Sequence, residues 1–565
     1  MYEEIISRVQ PKPKFNLEWY KNEDLYSEGD IEDLIIQMIL ENEPENYTKA
    51  IYENYNWSTY YHLTHLRKNI LNWYPFQKAD SVLEIGCGLG AITNMLCENC
   101  GDVTAVELSK RRATATLLRC RERENLEIIV GNLNDICFDK KFDYITLIGV
   151  LEYQGQYTDT EHPFTDFLKE IKGLLKPEGK LLIAIENKYG LKYWCGAGED
   201  HTGVPFDSIN QYRIGNKNAR TFSREELDGL IKESGFRSTY FYYPMPDYKL
   251  PTVIYSERRL PDNGNMQNLQ PYYTNKKVLV ADEMGIYDDL IRNGVFEFFA
   301  NSFLVECSDG AVGEVSFVNI SSERREEYRI ATRFKGEVVE KIALNKHKGR
   351  EHLCQTVKNL NALEESGIKI WKSVLEGDII KSKLCAEKLL EDYLLELYRQ
   401  RKTDEIYAVF DKVCEDIAHS CALAPEEDNI FFQLQIVGKE RAEEFGAVLK
   451  TAYLDMIFRN AFYCEGEIYW FDQEWILENV PVKYVLYTAF EEFYQSYPWM
   501  DQVISLSRLA ERYGLLSIWQ ECRKLRQIFF EAVVDREHAV ESQAVRGCSM
   551  EECVCNIKKL LGIKE

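Results

Sequence analysis

The stretch Ser81–Gly90, SVLEIGCGLG, decides how this chain is read. A strand-forming run containing the acidic Glu84 passes into a loop carrying Gly86, Gly88 and Gly90, and a helix opens at Ala91. Glycines allow a tight turn there and bring backbone N–H groups close to a ligand at the helix N-terminus. The segment therefore predicts a pocket for a nucleotide-like cofactor.

Outward from it, SVLEI, DVTAVEL, LEIIVGN, FDYITLIG and KLLIAIEN are five short apolar runs separated by helical patterns. Strands alternating with helices predict a parallel sheet in an α/β domain. Counted from Gly86, the chain also satisfies GxGxxA through Gly88 and Ala91, and Glu107 ends the second strand where it can accept from ribose hydroxyls. A dinucleotide fold and a methyl-donor fold both place an acid there. Glu84 in the first strand, Asn132 after the third and Asp143 opening the fourth separate the two.

These motifs, VLEIGCGLG, VELS, GNLND, FDYITLIGVLEY and LLKPEGKLLIAIEN in order, resemble class I S-adenosylmethionine-dependent methyltransferases over residues 57–260. The resemblance implies S-adenosylmethionine as cofactor, with Glu84, Gly86, Gly88 and Gly90 on its methionine side. It also implies Glu107 on the ribose, and Asn132 and Leu133 beside the adenine. The acceptor is sought in ENKYGLKYWCGAGEDHTGVPF, residues 186–206, which follows the fifth strand, where open α/β sheets bind ligands. A hydroxyl acceptor would want a base such as His201 or Glu199. A phosphate acceptor would instead want cations such as Lys188, Arg213 or Arg220.

Composition bounds the rest. At 565 residues the chain is too long for one core. The net charge of −24 argues against a nucleic-acid surface, which needs clustered Lys and Arg. Sixteen cysteines scattered through apolar runs read as reduced, buried thiols, and the Cys97–Cys100 pair lacks a second pair for a zinc site. The N-terminus has no apolar segment of signal-peptide type and no run reaches transmembrane length, so a cytoplasmic location is expected.

Residues before the sheet predict helix, ending in a segment Trp57–Phe76 with Ser58 as its cap. After it, STYFYYP and PTVIYS read as a closing pair of strands, and the turn-rich PDNGNMQNLQPYY as a linker. Beyond lies a second constellation. Lys341 ends an apolar run, Glu351 follows on a helix, YLDMIFRN supplies Asp455 and Asn460, and IYWFDQEW supplies Asp472 and Glu474. ATP phosphoryl transfer uses such a set: a lysine on the phosphates, a carboxylate holding it, an aspartate at the acceptor, and Asn with Asp on magnesium. There is no Gly-rich loop before Lys341, Tyr453 stands where kinases usually have His, and DQE replaces DFG.

Together the two constellations resemble bifunctional kinase-methyltransferases that terminate O-antigen polysaccharides, and through AIENKYGLKYWCGAGEDHTG, residues 184–203, and YYPMPDYKLPTVIYS, residues 242–256, the first half resembles bacterial surface-glycan methyltransferases. That resemblance implies a glycan or glycolipid substrate, with methylation of a phosphate installed by the same chain. The alternative is direct O-methylation of a sugar hydroxyl beside an inactive kinase-like domain. The expected architecture is an α/β Rossmann-like domain with a mostly parallel seven-stranded sheet, then an α+β kinase-like domain and C-terminal helices that could meet glycan-assembly enzymes. The divisions fall at 1–78, 79–261, 262–295 (linker), 296–500 and 501–565.

Overall fold

The computed structural model describes residues 2–24, 26–215, 219–266, 269, 279–537 and 549–563. It divides into two compact units, Met1–Ser322 with Glu537–Glu565, and Glu323–Arg536.

The sheet of the first unit has strands β1 (Lys14–Asn16), β2 (Ser81–Ile85), β3 (Asp102–Glu107), β4 (Leu126–Val130), β5 (Phe142–Ile148), β6 (Leu175–Glu186), β7 (Ser238–Met245), β8 (Val253–Ser256), β9 (Ser302–Ser308) and β10 (Val315–Ile320). Their order is β1-β4-β3-β2-β5-β6-β9-β7-β8-β10. The first six are parallel, with Val82 of β2 opposite Val103 on one side and Tyr144 on the other. All five residues of β2 are buried, as expected of a strand covered on both faces.

Five parallel strands and the antiparallel pair β7–β8 agree with the sequence reading; β1, in a region expected to be helical, and β9 and β10, expected in the second domain, do not. β9 lies between β6 and β7, antiparallel to both, so that SFLVECS completes the sheet. All seven of its residues are buried, and a strand buried on both faces is stable only inside a sheet. The first unit therefore continues to Ser322, past the division expected at 261. The expected linker 262–295 contains a helix, Glu283–Arg292, whose Glu283 and Tyr287 are buried, while residues 267, 268 and 270–278 lie outside the described set.

Two smaller expectations also shift. Asn56, not Ser58, caps the helix Trp57–Leu63 through a reciprocal pair with Thr59, and the chain breaks at Thr64 before a 3-10 helix, His65–Ile70. The C-terminal segment splits. Met550–Leu560 packs on the first unit, burying Cys553 with Tyr193 and Leu279, and Asn556 Nδ2 donates to the Leu279 carbonyl at 2.8 Å.

The second unit opens with antiparallel strands β11 (Ile330–Lys335), β12 (Val338–Ala343), β13 (Ser373–Glu376) and β14 (Ile379–Lys383), with the helix Arg350–Glu365 between β12 and β13. Helices Leu390–Arg399, Thr403–His419 and Val482–Ser496 follow, with short antiparallel ladders between them. The apolar stripe Leu515, Ile518, Cys522 and Leu525 joins the core of this unit, which is why residues 501–536 do not form a separate region. Among the described residues no helix is long and apolar enough to cross a membrane.

Candidate active site

The turn after β2 is built as its glycines suggested. Gly86, Gly88 and Gly90 all have positive φ, and a Cβ on Gly86 would lie 2.5 Å from Val150 Cγ2. The Gly88 N–H donates to Glu107 Oε2 at 2.8 Å, and the Ser109 N–H donates to Glu107 Oε1 at 3.1 Å. Glu107 thus fixes the turn from the neighbouring strand. Gly90 is the N-cap of the helix Ala91–Asn99.

A cavity of about 360 Å³ opens over the C-terminal ends of β2, β3, β5 and β6, and Glu84, Gly86, Gly88 and Glu107 line it. Glu84 is 3% exposed and its Oε2 has no hydrogen-bond partner. Burial pushes its pKa up to about 7, with Glu107 adding to the rise and Thr93 opposing it. Arg112 stacks over the Tyr26 ring at 4.8 Å and borders the same cavity. A buried carboxylate oxygen without a donor, beside a turn that admits no side chain, suits the ammonium and sulfonium end of S-adenosylmethionine. When bound, that group supplies an electrophilic methyl.

The other end of the cavity is acidic. His201 Nδ1 lies 2.9 Å from Glu199 Oε1, and the backbone N–H groups of His201 and Thr202 donate to Glu199 Oε2, each at 2.8 Å. His201 Nε2 faces Glu152 Oε1 at 3.5 Å. Lys249 pairs with Glu186 and, at 3.0 Å, with Asp200. Burial alone would lower the His201 pKa, but the Glu186, Glu152 and Glu199 carboxylates outweigh it and hold the imidazolium well above the ordinary histidine range. Burial raises Glu152, while for Glu186 the Lys249 ammonium and His201 overcome the same penalty and lower it.

Glu199 and His201 therefore stand together in the cavity. Lys188 does not join them: it is buried and its Nζ donates to Glu226 at 2.9 Å. Nor do Asn132 and Leu133 line the cavity. Asn132 Oδ1 accepts from the Asn134 N–H at 3.1 Å and caps the short turn Leu133–Asp135, while Tyr153, Gln154 and Tyr157 border the cavity instead. Glu152, Arg112 and Lys249 were not singled out from the sequence. Glu152 had a signal, since it follows the fourth strand in FDYITLIGVLEY. Arg112 and Lys249 are distant in the chain and had none.

In the second unit, Lys341 pairs with Asp472 and, at 3.1 Å, with Glu474 Oε1. Glu474 also meets Arg324 and, at 3.0 Å, His352 Nε2. Asp455 Oδ2 accepts from the Glu474 and Trp475 N–H groups at 2.8 and 3.1 Å. Burial, with the Glu474 and Asp472 charges, pushes Asp455 up to about 8. Asn460 Nδ2 donates to the Asp455 carbonyl at 3.2 Å. Glu351, expected to hold Lys341, is exposed; its neighbour His352 is the residue on that helix that faces the cluster. A helix presents adjacent residues about 100° apart, so one position decides which is buried.

A family model described as a methyltransferase domain matches residues 83–183. An uncharacterized methyltransferase of Staphylococcus carnosus is 37% identical over 103 residues, 18% of this chain and 45% of that protein. A malonyl-[acyl-carrier protein] O-methyltransferase of Priestia megaterium is 26% identical over 124 residues, 22% of this chain and 42% of that protein. The chain thus spans somewhat under half the length of these curated relatives. A solved S-adenosylmethionine-dependent methyltransferase of Thermotoga maritima aligns at 16% identity and a TM-score of 0.28, over 47% of this chain and 98% of that one. The matched segment, the strand order and the glycine turn agree: the first unit carries a class I, Rossmann-like S-adenosylmethionine-dependent methyltransferase domain.

Proposed function

We propose that this protein transfers the methyl group of S-adenosylmethionine to a hydroxyl of a sugar in a cell-surface polysaccharide or its precursor. The observation that carries the choice of a hydroxyl is the acidic end of the cavity. A phosphate dianion there would face Glu152, Glu186, Glu199 and Asp200, while Lys249 is engaged by two of them and Lys188 by Glu226. Carboxylates instead accept hydrogen bonds from hydroxyl groups, and the unpartnered Glu152 Oε2 can take the proton that a hydroxyl gives up. Glu84 and the Gly86–Gly90 turn would hold the methyl donor, and Glu107 would keep that turn in place. Enclosing the reacting atoms at the ends of buried strands aligns them and limits water. The glycan class is supported by the resemblance of the segments 184–203 and 242–256 to surface-glycan methyltransferases.

The test is mass spectrometry of a glycan acceptor incubated with S-adenosylmethionine, with and without ATP. Methylation without ATP is expected. Methylation only of a phosphorylated acceptor would overturn the hydroxyl reading in favour of phosphate transfer.

We read the second unit as kinase-like. Support comes from the order of its parts, a small antiparallel sheet with one intervening helix followed by Asp455, Asn460 and Asp472 around short ladders. Lys341 would meet the phosphates of ATP, and Asn460 with Asp472 would meet magnesium. Asp455 would face the acceptor of the phosphoryl group. The fit is partial, because Glu351 stands outside the cluster and Glu474 already engages Lys341, Arg324 and His352. Calorimetry with ATP and magnesium distinguishes a nucleotide-binding unit from a binding module of other kind. C-terminal contacts with glycan-assembly enzymes belong to the same proposal.

A further inference from the structure

The acidic end of the cavity is assembled from three separate places. Glu152 follows β5, Glu186 ends β6, and His201 sits in the loop beyond. Each offers one ligand atom, and the three atoms lie within 4.8 Å of one another. Both glutamate side chains are 1% exposed, and each retains an Oε2 with no hydrogen-bond partner. A buried carboxylate oxygen with nothing to accept from is costly, and here two such glutamates border one cavity.

His201 is also turned for ligation. Glu199 engages Nδ1 and is itself held by two backbone N–H groups, which leaves Nε2 directed toward Glu152. An imidazole fixed by a carboxylate at one nitrogen and turned inward at the other is the usual support for a metal ligand. The local charge agrees. Among the described residues, Glu152, Glu186, Glu199, Asp200 and Asp247 lie with Lys192 and Lys249, both already paired, and Arg67, which donates to the Lys249 carbonyl.

We infer that Glu152, Glu186 and His201 form a binding site for a divalent cation of the Mn²⁺ kind. Two carboxylates and one imidazole suit Mn²⁺, Fe²⁺ or Zn²⁺ better than the all-oxygen shells of calcium. One oxygen from each glutamate and Nε2 of His201, which gives up its proton to solvent as the cation binds, would leave coordination positions open to the cavity, where oxygens of the acceptor complete the shell. This rests on reading that end as the acceptor site.

The probe is Mn²⁺ titrated into the full chain after treatment with a chelator, followed by electron paramagnetic resonance, with S-adenosylmethionine affinity measured separately by calorimetry. One Mn²⁺ per chain is expected, with nitrogen coupling from one imidazole. Glu186→Gln should weaken Mn²⁺ at least tenfold, and His201→Ala should remove the nitrogen coupling, each with unchanged S-adenosylmethionine affinity. If either variant proves unfolded, Glu152→Gln serves as the second ligand variant and should also weaken Mn²⁺ at least tenfold. Absence of Mn²⁺ binding, or binding indifferent to these substitutions, overturns the site even where S-adenosylmethionine binds normally. Mn²⁺ binding without S-adenosylmethionine binding would sustain the site and overturn the methyltransferase reading.

Discussion

Glu107 Oε2 accepts the Gly88 N–H at 2.8 Å, so the last residue of one strand holds the turn that follows its neighbour. The second oxygen accepts from Ser109 and ties the start of the next helix to the same carboxylate. Charge-assisted hydrogen bonds of this kind contribute about 1.5–3 kcal/mol each. Glu107→Ala should therefore weaken S-adenosylmethionine binding by roughly tenfold or more in calorimetry. Glu107→Gln should fall between, because its amide nitrogen cannot accept. Equal affinity in Glu107→Ala would show that the turn holds itself.

Gly86 combines a φ of +76° with the nearby Val150 side chain. Gly86→Ala meets two penalties, about 1–2 kcal/mol for a left-handed residue and a steric overlap with Val150. It should abolish measurable cofactor binding and lower the melting temperature. Adding Val150→Ala relieves the overlap but not the backbone cost, so partial recovery of stability is expected. Full recovery would mean that φ is not limiting.

Glu84 gives a pH signature. Its pKa in the folded protein is raised to about 7 by burial, above the ordinary value of 4.5, so the unfolded chain loses this proton first. The stability contributed by this group is fully present below about pH 4.5 and declines as pH rises toward 7. Binding of the cationic methyl donor has the opposite sign, since it favours the ionised carboxylate. Affinity should rise about tenfold between pH 6 and pH 8 and become flat in Glu84→Gln, as read by calorimetry across that range. A pH-independent wild-type affinity would remove Glu84 from the donor site.

In the second unit Lys341 balances Asp472 and Glu474. Lys341→Met leaves the buried Glu474 and the part-buried Asp472 without that partner, and a loss of up to about 3–5 kcal/mol is expected. Urea unfolding should show this loss, and Lys341→Met with Asp472→Asn should recover part of it. A loss below about 1 kcal/mol would mean that Arg324 and His352 suffice to balance the acids.

The glycine turn, five of the parallel strands and the placing of Glu84 and Glu107 on neighbouring strands were legible in the sequence because strand periodicity and turn chemistry act over a few neighbouring residues. Cys87, Cys120 and Cys195 likewise read correctly as buried thiols, being set in apolar runs, whereas Cys137 is exposed and Cys354 only half-buried. The place of SFLVECS was not legible. A doubly buried strand announces that it needs two neighbours without naming them, and its neighbours here are about 120 and 60 residues earlier in the chain.

The same division separates the two ends of the cavity. By itself the sequence determined the glycine turn with Glu84 and Glu107 beside it, since these are one strand, one turn and the acid on the next strand, but not the side where Tyr153, Gln154 and Tyr157 replace Asn132 and Leu133. Only the tertiary structure decided the other end, bringing Glu152, Glu186 and His201 together while turning Lys188 to Glu226. Side chains from separate elements converge through packing, and packing depends on the whole sheet rather than on local spacing.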